Sequence, residues 1–539
     1  NRYAYTNSDG AVVITTNKLT TQADPNTNTT TYRLDDLNNS NNTITDGPAA
    51  LALTDSNGNP YTIPAGSTVA GVRLTQTATP NGGVSADQYE LFLRDTSTGD
   101  ISKASFYTSG HQQGAAESLS ADDILTVEVQ SRLDLTGDGT VGVQVNTELF
   151  NPQTQGGYSA WDSQTRYLYQ TSAGILISRE SVPTGNDLRN ASTQQLNAQE
   201  GPAYTLVSYN DLNLAANESV IGVRRQITLS NTSNAALNTG FELILRDSTA
   251  PAGQVRVVAT DNNGDVYDSY TLNPGDLTLK ALEIATRLDL NANSTVASTI
   301  QSELVGPGSN DTTRHITQTT DGTLLLSRET LPGTGSDLSA IGSSSTTRFD
   351  AWSGPGVAIL ATADGNTPLS LNAGESVLGA RVTRSTLPDG MQQVNGAELF
   401  LKDSTGSLRT LSFSFDGTNS GIATLENTSA ALSADQISAL ELETGLDLNA
   451  DGAGGLTVAA SLYDPTSGGG QRSEQDRSVV LTNDGKVALS RDSLSAGSTL
   501  SSTNDWNKPV ILSDAGGDPI SLNSASEVLG ARTIIFPPD

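Results

Sequence analysis

The sequence of 539 residues has no cysteine, one methionine and only two histidines. Without cysteine the chain can form neither disulfides nor thiolate metal sites. His111 and His315 occupy unrelated positions in the chain, so they indicate neither a zinc site nor a recurring Ser–His–Asp arrangement. Paired carboxylates are common in so acidic a chain, which keeps the hydrolysis of polysaccharides as an alternative. Because no catalytic motif recurs, we expect a protein that is not an enzyme.

Basic residues and long apolar runs are also scarce. The chain has 29 Lys and Arg against 59 Asp and Glu, a formal charge of −30. This charge repels nucleic acid phosphates and favours cations as partners, so we expect no nucleic acid ligand. No stretch approaches the roughly 18 apolar residues that cross a bilayer, so we expect no membrane span. The chain opens on Asn1 rather than Met, which predicts a processed or partial protein.

The residues that are abundant are Thr, Ser, Asn, Asp and Gly, beside 5% aromatic and 35% hydrophobic residues. This composition is typical of turn-rich β structure with thin cores. A chain of this length exceeds one ordinary hydrophobic core, so several domains are expected. The predicted fold class is mainly β.

Internal repeats divide the chain. A β-hairpin signature opens each repeat at residues 2–14, 166–180, 314–329 and 477–492. The pattern VxGxR follows at 69–73, 220–224, 377–381 and 528–532, and ELxLRD or its variant ELFLKD at 90–95, 242–247 and 398–403. We predict tandem β-sandwich-like modules of about 155 residues. Their predicted ranges are 1–160, 161–310 and 311–472, and 473–539 is a partial fourth module with the first half only.

One short helix is predicted near the end of each full module. Ser120 with Asp123, and Ser433 with Gln436, have capping-box spacing. In the second module Asn273–Pro274 predicts an N-cap and a first helical proline. Apolar residues at i and i+3 predict the helix face that packs on a sheet, and all three helices share one glutamate position. The pairs are Ile124–Val127, Leu279–Leu282 and Ile437–Leu440, and the glutamates are Glu128, Glu283 and Glu441.

Each helix runs into an aspartate-rich loop that matches the first half of an EF-hand calcium loop. In the first loop Asp134, Thr136, Asp138 and Gly139 stand at positions 1, 3, 5 and 6, where side-chain oxygens converge on the ion and Gly permits the turn. The corresponding residues are Asp447, Asn449, Asp451 and Gly452 in the third loop, and Asp289, Asn291, Asn293 and Ser294 in the second. We therefore predict calcium at the first and third loops and only weak binding at Asp289.

The bidentate Glu that closes an EF-hand loop is missing, because Val145 stands at position 12. The exit segment TVGVQV (140–145) is β-branched and is predicted to be a strand. The remaining ligands would have to be backbone carbonyls, water or a distant acid. A weak site with Kd of roughly 0.1–1 mM is therefore expected. The alternative is a connection rich in Asx-turns, in which these side chains bond their own backbone and no ion is present.

The arginines of the repeated motifs are predicted to form structural ion pairs or hydrogen-bond anchors at strand ends, with ligand binding as the alternative. In VxGxR they are Arg73, Arg224, Arg381 and Arg532. In ELxLRD the adjacent pairs are Arg94–Asp95, Arg246–Asp247 and Lys402–Asp403.

The segments ELFLRDTSTG (90–99) and LDLTGDGTVG (133–142), joined by a capped helix, resemble the repeats of large secreted cyanobacterial or similar marine bacterial surface proteins with DLNGDG-type calcium loops. The resemblance covers the three full repeats. It implies an extracellular, calcium-associated protein of the cell surface. It leaves open whether the protein is an adhesin, a surface-layer subunit or a filament subunit.

We expect a calcium-stabilised structural protein whose subunits join head to tail in a filament or surface layer. The partial fourth module is the reason, because half a module exposes an apolar face and an unpaired edge. Either the gene continues beyond residue 539, or this half docks onto another copy by strand addition. The alternatives are the stalk of an adhesin that binds glycans, a cell-surface polysaccharide or another cell, and a polysaccharide-acting enzyme.

Overall fold

The computed structural model describes residues 2–6, 10–15, 50–79, 84–152, 165–190, 201–229, 236–307, 311–341, 354–388, 390–415, 421–450, 452, 454–465, 477–500, 509–514 and 520. Contacts between Cα atoms divide the chain into two compact units. The first unit is Asn1–Ser294 with Leu387–Met391, and the second is Thr295–Thr386 with Gln392–Asp539.

The predicted mainly β fold is confirmed. The first unit contains the strands β1 (Tyr3–Thr6), β2 (Val12–Thr15), β3 (Ala50–Ala52), β4 (Ser67–Ala78), β5 (Val84–Asp95), β6 (Ile101–Tyr107), β7 (Glu117–Ser118), β8 (Val145–Phe150), β9 (Tyr167–Thr171), β10 (Gly174–Ser178), β11 (Tyr204–Ser208), β12 (Glu218–Leu229), β13 (Ala236–Asp247), β14 (Val255–Asp261) and β15 (Val266–Leu272). Its helices are α1 (Ala121–Ser131), α2 (Tyr209–Leu212) and α3 (Leu277–Thr286), with a 3-10 turn at Leu188–Asn190.

The second unit repeats the same kinds of element. Its strands are β16 (Ile300–Val305), β17 (His315–Thr319), β18 (Leu324–Ser327), β19 (Val357–Ala361), β20 (Ser376–Thr386), β21 (Gln392–Lys402), β22 (Leu408–Phe415), β23 (Ile422–Thr428), β24 (Leu456–Tyr463), β25 (Ser478–Thr482), β26 (Val487–Ser490), β27 (Thr499–Leu500) and β28 (Val510–Ile511). Its helix is α4 (Ala434–Thr444), and a 3-10 turn lies at Leu338–Ala340.

The repeated sequence motifs form two kinds of sheet. The predicted hairpins are present as β1–β2, β9–β10, β17–β18 and β25–β26. We call the sheets built on them hairpin sheets: β1–β3, β8–β11, β16–β19 and β24–β28. The VxGxR and ELxLRD strands pair with each other and open three antiparallel meanders: β4–β7, β12–β15 and β20–β23. In the second unit β19 pairs in parallel with β23, so that hairpin sheet and meander form one eight-stranded sheet. The fourth VxGxR segment, 528–532, lies outside the described residues.

The strand after each aspartate-rich loop belongs to the next hairpin sheet. β8 pairs with β9, β16 with β17 and β24 with β25, all antiparallel. The predicted module limits after residues 160, 310 and 472 therefore each fall between two hydrogen-bonded strands. The module ranges remain a prediction, since the compact units are divided at other positions.

Within the first unit, sheets and helices alternate as layers. One face of hairpin sheet β8–β11 packs on meander β12–β15 through Leu168, Ile175 and Ile177 against Val223, Phe241 and Leu243. Its other face packs on α1 through Tyr167, Tyr169 and Leu176 against Val129. The opposite side of α1 packs on meander β4–β7 through Ile124 and Val127 against Phe92 and Ile101. The helix thus joins the meander that precedes it to the hairpin sheet that follows it.

The second unit has the same layer order. Hairpin sheet β16–β19 packs on meander β20–β23 through Ile316, Leu324 and Leu326 against Val382, Leu399 and Leu401. Helix α4 contacts this meander through Ile437 and Leu440, which pack on Phe400. Its Leu442 packs on Val480 and Ala488 of the next hairpin sheet. The predicted i,i+3 stripes are confirmed here and in α3, where Leu279 and Leu282 pack on Ile244 and Val257.

Two of the three predicted helix starts are confirmed. Ser120 and Ser433 are N-caps of complete capping boxes with Asp123 and Gln436. The predicted cap at Asn273–Pro274 is wrong, because α3 begins at Leu277 with Asp276 as N-cap. The Asp276 carboxylate accepts a hydrogen bond from the Asn273 N–H at 2.7 Å, and the Asp276 N–H donates to the Asn273 carbonyl. These bonds close a turn ahead of the helix and delay its start.

Candidate functional site

The aspartate-rich loops begin where each helix ends in a left-handed residue. Arg132, Arg287 and Gly445 have φ of 57°, 57° and 68°, and each donates its N–H to the carbonyl of the shared glutamate. This is a common way for a helix to end. The chain turns away from the helix axis there and enters the loop.

A close contact with the meander holds the start of the loop. The glycine of VxGxR lies so near the first leucine of the loop that a Cβ at Gly71 would stand 2.7 Å from Leu133 Cδ1. The corresponding distances are 2.5 Å for Gly222 and Leu288, and 2.3 Å for Gly379 and Leu446. The second leucine of each loop is fully buried: Leu135, Leu290 and Leu448. The central glycine of the motif is therefore needed so that the loop can rest on the strand.

The shared glutamate holds the next two loop residues. Glu128 Oε1 accepts hydrogen bonds from the N–H groups of Leu135 at 2.7 Å and Thr136 at 3.0 Å. Burial raises the pKa of the Glu128 carboxyl, with the charges of Asp134 and Asp138 adding to the rise and the two N–H donors opposing it. The sequence showed this glutamate position as a repeat, but only the fold shows what it bonds.

The same bonds recur in the other two copies. Glu283 accepts from the N–H groups of Leu290 and Asn291, both at 2.9 Å, and Glu441 from those of Leu448 and Asn449 at 2.9 and 2.8 Å. The side-chain amides of Asn291 and Asn449 donate to the second oxygen of their glutamate. All three glutamates are at most 3% exposed, so these bonds form inside the protein.

The first aspartate of each loop bonds the loop backbone. The N–H of the residue five positions later donates to Asp134 at 3.1 Å, Asp289 at 2.8 Å and Asp447 at 2.9 Å. Asp134 also accepts from the Gly137 N–H at 2.6 Å, and Asp138 from the Thr140 N–H at 2.7 Å. The Asx-turn alternative predicts these contacts. A carboxylate has about four acceptor positions, so one or two backbone bonds do not by themselves occupy all of them.

The three loops have positive φ at the same three positions, including the copy without glycine. Positions 4, 6 and 9 have positive φ in each loop: Gly137, Gly139 and Gly142; Ala292, Ser294 and Ala297; Ala450, Gly452 and Gly455. A non-glycine residue in this region costs roughly 1–2 kcal/mol. The second loop keeps the fold despite three such residues, so the surrounding contacts determine its shape.

Two further aspartates reach the loops from the next hairpin sheet. Asp187 accepts a hydrogen bond from the Val141 N–H at 2.9 Å, and Asp337 from the Val296 N–H at 3.0 Å. The sequence analysis missed both residues. The recurring segments TGNDL (184–188) and TGSDL (334–338) were the available signal.

Position 12 cannot supply a ligand. Val145, Ile300 and Val458 are at most 2% exposed. The strand predicted at 140–145 is wrong for residues 140–144, because Gly142 has a φ of 66° and β8 begins only at Val145. The N–H of Val145 donates to the Asn186 carbonyl, and its carbonyl accepts from the Gly185 N–H. The loop therefore ends in a buried strand at the position where an EF-hand places its bidentate acid.

The oxygens at positions 1, 3 and 5 of the first loop are the carboxylates of Asp134 and Asp138 and the hydroxyl of Thr136. Asp134 is half-buried, and the other two are exposed. Such oxygens suit calcium, which takes six to eight ligands, so water and carbonyls would have to complete the shell. Within the ranges given above, no three His, Cys, Asp or Glu side chains form a group that could hold a metal ion. The donor set thus fits a weakly held calcium ion and no tight site.

The third loop offers Asp447, which is half-buried, and Asn449, which is exposed. Asp451, the third predicted ligand, lies outside the described residues. The second loop has one carboxylate, Asp289, beside the amides of Asn291 and Asn293. Asn291 Oδ1 already accepts from the Asn293 N–H at 3.0 Å. The second loop therefore has the lower charge of the two fully described copies.

The VxGxR arginines form ion pairs across each meander. Arg224 pairs with Glu242 at 2.6 Å, with side chains 9% and 7% exposed. Arg73 pairs with Glu90 at 2.5 Å and Arg381 with Glu398 at 2.6 Å. Arg381 also bonds Glu443 of α4 at 2.5 Å, and Arg73 bonds Gln130 of α1 at 3.1 Å. Each of these contacts is made to protein, in the way expected of a structural anchor.

The other polar features are local. His111 bonds the Thr54 hydroxyl, and His315 bonds Glu303. The aspartate of ELxLRD closes the turn that follows it, and bonds from Ser97 and Thr98 lower the pKa of Asp95 to about 2. In the described part of the chain, every helix is too short or too polar to cross a membrane.

No protein-family model matches the chain, and no curated protein matches it. Among solved structures it aligns with the WD40 domain of SCAP from fission yeast at 11% identity and a TM-score of 0.13, covering 65% of each chain. It aligns with the six-bladed β-propeller lectin of Aleuria aurantia at 10% identity, over 80% of this chain and 95% of that one, with a TM-score of 0.12. For AofleA from Arthrobotrys oligospora the identity is 11%, the coverage 68% and 90%, and the TM-score 0.12. TM-scores this low support no conclusion about fold or ligand.

Proposed function

We propose that this chain is an extracellular structural repeat protein, a subunit of a surface filament or surface layer that is stabilised by calcium and joined head to tail. One observation carries the proposal. After each aspartate-rich loop the chain enters a strand that is hydrogen-bonded into the following hairpin sheet. Each further repeat would add its layers in the same way, as expected of a subunit that forms a long filament or layer.

The recurring polar residues support a structural role. The shared glutamates bond loop amides, and the VxGxR arginines bond glutamates of the neighbouring strand. Residues that recur for binding or catalysis usually converge on a concave site. Here they occupy the interfaces between layers, which favours a structural protein over an enzyme or a glycan-binding surface.

Calcium has a defined place in this proposal. Asp134, Thr136 and Asp138 would hold the ion in the first loop, and Asp447, Asn449 and Asp451 in the third, with Asp289 as a weak site. When bound, calcium would neutralise the clustered carboxylates. The shape of each loop depends on protein groups, since the shared glutamates and the buried leucines hold the loop on the helix and the meander.

We expect calcium to raise the free energy of unfolding by about 1 kcal/mol per occupied site when its concentration is several times Kd. The measurement is thermal unfolding in EDTA and in about 10 mM calcium, a concentration chosen from the range of weak extracellular sites. Asp134→Ala and Asp447→Ala should each reduce the shift in melting temperature. Asp289→Ala is the matched control and should leave it unchanged. Identical melting curves with and without calcium would contradict the calcium part of the proposal.

The last hairpin sheet supports head-to-tail association. In the second unit the inner face of hairpin sheet β16–β19, formed by Ile316, Leu324, Leu326 and Ala358, is at most 1% exposed under its meander. In sheet β24–β28 the corresponding Val479 and Val487 are buried, Leu489 is half-buried and Val510 is 53% exposed. The exposed part of this face is therefore its edge at Val510. We propose that another copy of the chain contacts the sheet at this edge.

We expect Val510→Asp to reduce polymer formation strongly, because it places a charge on the proposed contact while leaving the buried core intact. Tyr107→Asp is the control, since Tyr107 is 55% exposed and lies on meander β4–β7, away from the hairpin sheet of Val510. Light scattering against protein concentration, with negative-stain images, measures the polymers. Polymerisation of Val510→Asp at the level of the parent would rule out this contact. A parent chain that remains monomeric at all concentrations would rule out self-assembly itself.

A further inference from the structure

The basic residue of the ELxLRD motif lies against the aspartate-rich loop. Arg94, near the end of β5, donates from Nε to the Leu135 carbonyl at 3.0 Å, and its Nη2 donates to the same oxygen. Arg246, at the same place in β13, donates from Nη2 to the carbonyls of Asp289 at 3.0 Å and Leu290 at 2.8 Å. The guanidinium thus connects the meander to the second loop residue in the first copy, and to the first two loop residues in the second copy.

The guanidinium of Arg94 rests on the loop backbone itself. A Cβ built at Gly137 would lie 2.3 Å from Arg94 Nη1, so the side chain fills the space above position 4. Arg189, in the 3-10 turn Leu188–Asn190 between β10 and β11, donates to the Gly139 carbonyl of the same loop. The first loop is therefore bound by two arginines, Arg94, which precedes it in the sequence, and Arg189, which follows it.

The third copy differs at this position. Lys402 ends β21 where the other copies have arginine. Among the described residues no hydrogen bond joins Lys402 to the third loop, whose Asp447, Leu448 and Asn449 are described. Lysine carries a point charge on a flexible stem and lacks the planar fork that binds two acceptors. The third loop therefore has the glutamate and the buried leucine in common with the others, but has lysine at the position of the arginine.

A guanidinium and a calcium ion can each hold the aspartate-rich loop in place. Each is a cation that binds loop oxygens and fixes the loop, and a fixed positive charge a few ångströms away repels a dication. The second loop illustrates the substitution, because it keeps the common backbone with one carboxylate, no glycine at positions 4, 6 and 9, and Arg246 in place. The guanidinium of Arg246 therefore holds a loop whose single carboxylate, Asp289, attracts a calcium ion only weakly.

We propose that the residue at positions 94, 246 and 402 decides how each loop is held: arginine fixes the loop without an ion, and lysine leaves it dependent on calcium. The third loop is accordingly the main calcium-responsive element of the chain, and it binds calcium about five- to tenfold more tightly than the first, a ratio of the size expected for one charge several ångströms away in a solvated site. This inference rests on the proposed role of calcium. It separates two loops that charge count alone does not, since the first and third loops each have aspartates at positions 1 and 5.

Reciprocal substitutions test the inference. We expect Lys402→Arg to weaken calcium binding at the third loop about five- to tenfold, and to slow amide exchange of Leu448 and Asn449 in EDTA. We expect Arg94→Lys to speed amide exchange of Leu135 and Thr136 in EDTA and to make it recover on addition of calcium. Calorimetric titration with calcium chloride measures affinity, and hydrogen–deuterium exchange of the full chain measures loop order. Lys103→Arg and Arg256→Lys are matched controls, because both residues pair with glutamates of the meanders.

The outcomes separate this inference from the proposed function. If the parent chain shows no calcium response, the calcium role is wrong, and the inference falls with it. If the parent responds but both substitutions behave like their controls, the calcium role stands and the arginine–lysine distinction is overturned. Tighter calcium binding at the first loop than at the third in the parent also overturns it.

Discussion

Glu441→Ala is expected to lower the free energy of unfolding of the second unit by about 3–5 kcal/mol, the range observed when one partner of a buried charged interaction is removed. The Glu441 side chain is buried and accepts three hydrogen bonds, from the N–H groups of Leu448 and Asn449 and from the Asn449 amide at 3.2 Å. Without it these donors are left inside the protein, and a cavity replaces the carboxylate. Urea denaturation in EDTA measures the loss without a contribution from calcium.

Two companion variants show whether hydrogen bonding is the cause. Glu441→Gln keeps one oxygen that can accept both N–H groups, so about half of the loss is expected. Glu426→Ala, at an exposed position of β23, is the control and should change the free energy by less than about 0.5 kcal/mol. A Glu441→Ala variant as stable as the control would show that the shared glutamate does not hold the loop.

Glu242→Ala is expected to destabilise the first unit by about 3–5 kcal/mol, because it leaves the Arg224 guanidinium buried without its partner. The two side chains are 9% and 7% exposed, and the Tyr270 hydroxyl also donates to Glu242 at 3.1 Å. Thermal and urea unfolding measure the loss. Glu117→Ala is the control, since Glu117 pairs with Lys103 but is 60% exposed, and a loss below about 1 kcal/mol is expected.

The double variant Arg224→Met with Glu242→Leu tests whether the Arg224–Glu242 ion pair has a structural role or binds a ligand. Replacing a buried ion pair by apolar residues of similar size is often neutral. We therefore expect the double variant to regain most of the stability that Glu242→Ala loses, and to leave assembly unchanged. A stable double variant that no longer assembles would instead assign the arginines a binding role.

Local features of the fold were predictable because neighbouring residues encode them. The hairpins follow from alternating strands with a short glycine-containing turn, as at residues 166–180. The capping boxes at Ser120 and Ser433 follow from a four-residue pattern. The failure at Asn273 has the same origin, because Asp276 competed for the cap from three residues away and no pattern shows which of them prevails.

The candidate site was predictable only in part. The spacing of Asp134, Thr136 and Asp138 identified the loop after α1, but the strand predicted at 140–145 was wrong, since β8 begins only at Val145. The contacts that hold the loop come from residues distant in sequence, such as Arg94 and Asp187. Nothing in the local pattern states that an arginine 41 residues earlier bonds a loop carbonyl.

The sequence by itself determined the repeat, the mainly β class, the helix faces and the position of each aspartate-rich loop, since these depend on composition and short-range periodicity. Only the tertiary structure decided which strands pair. The exit strand β8 (VNTELF) has no strict apolar–polar alternation, and the energy of its pairing with β9 comes from backbone hydrogen bonds that carry no sequence code. The tertiary structure also decided what the shared glutamate does, because a buried carboxylate must find donors and the fold alone brings the amides of Leu135 and Thr136 to Glu128.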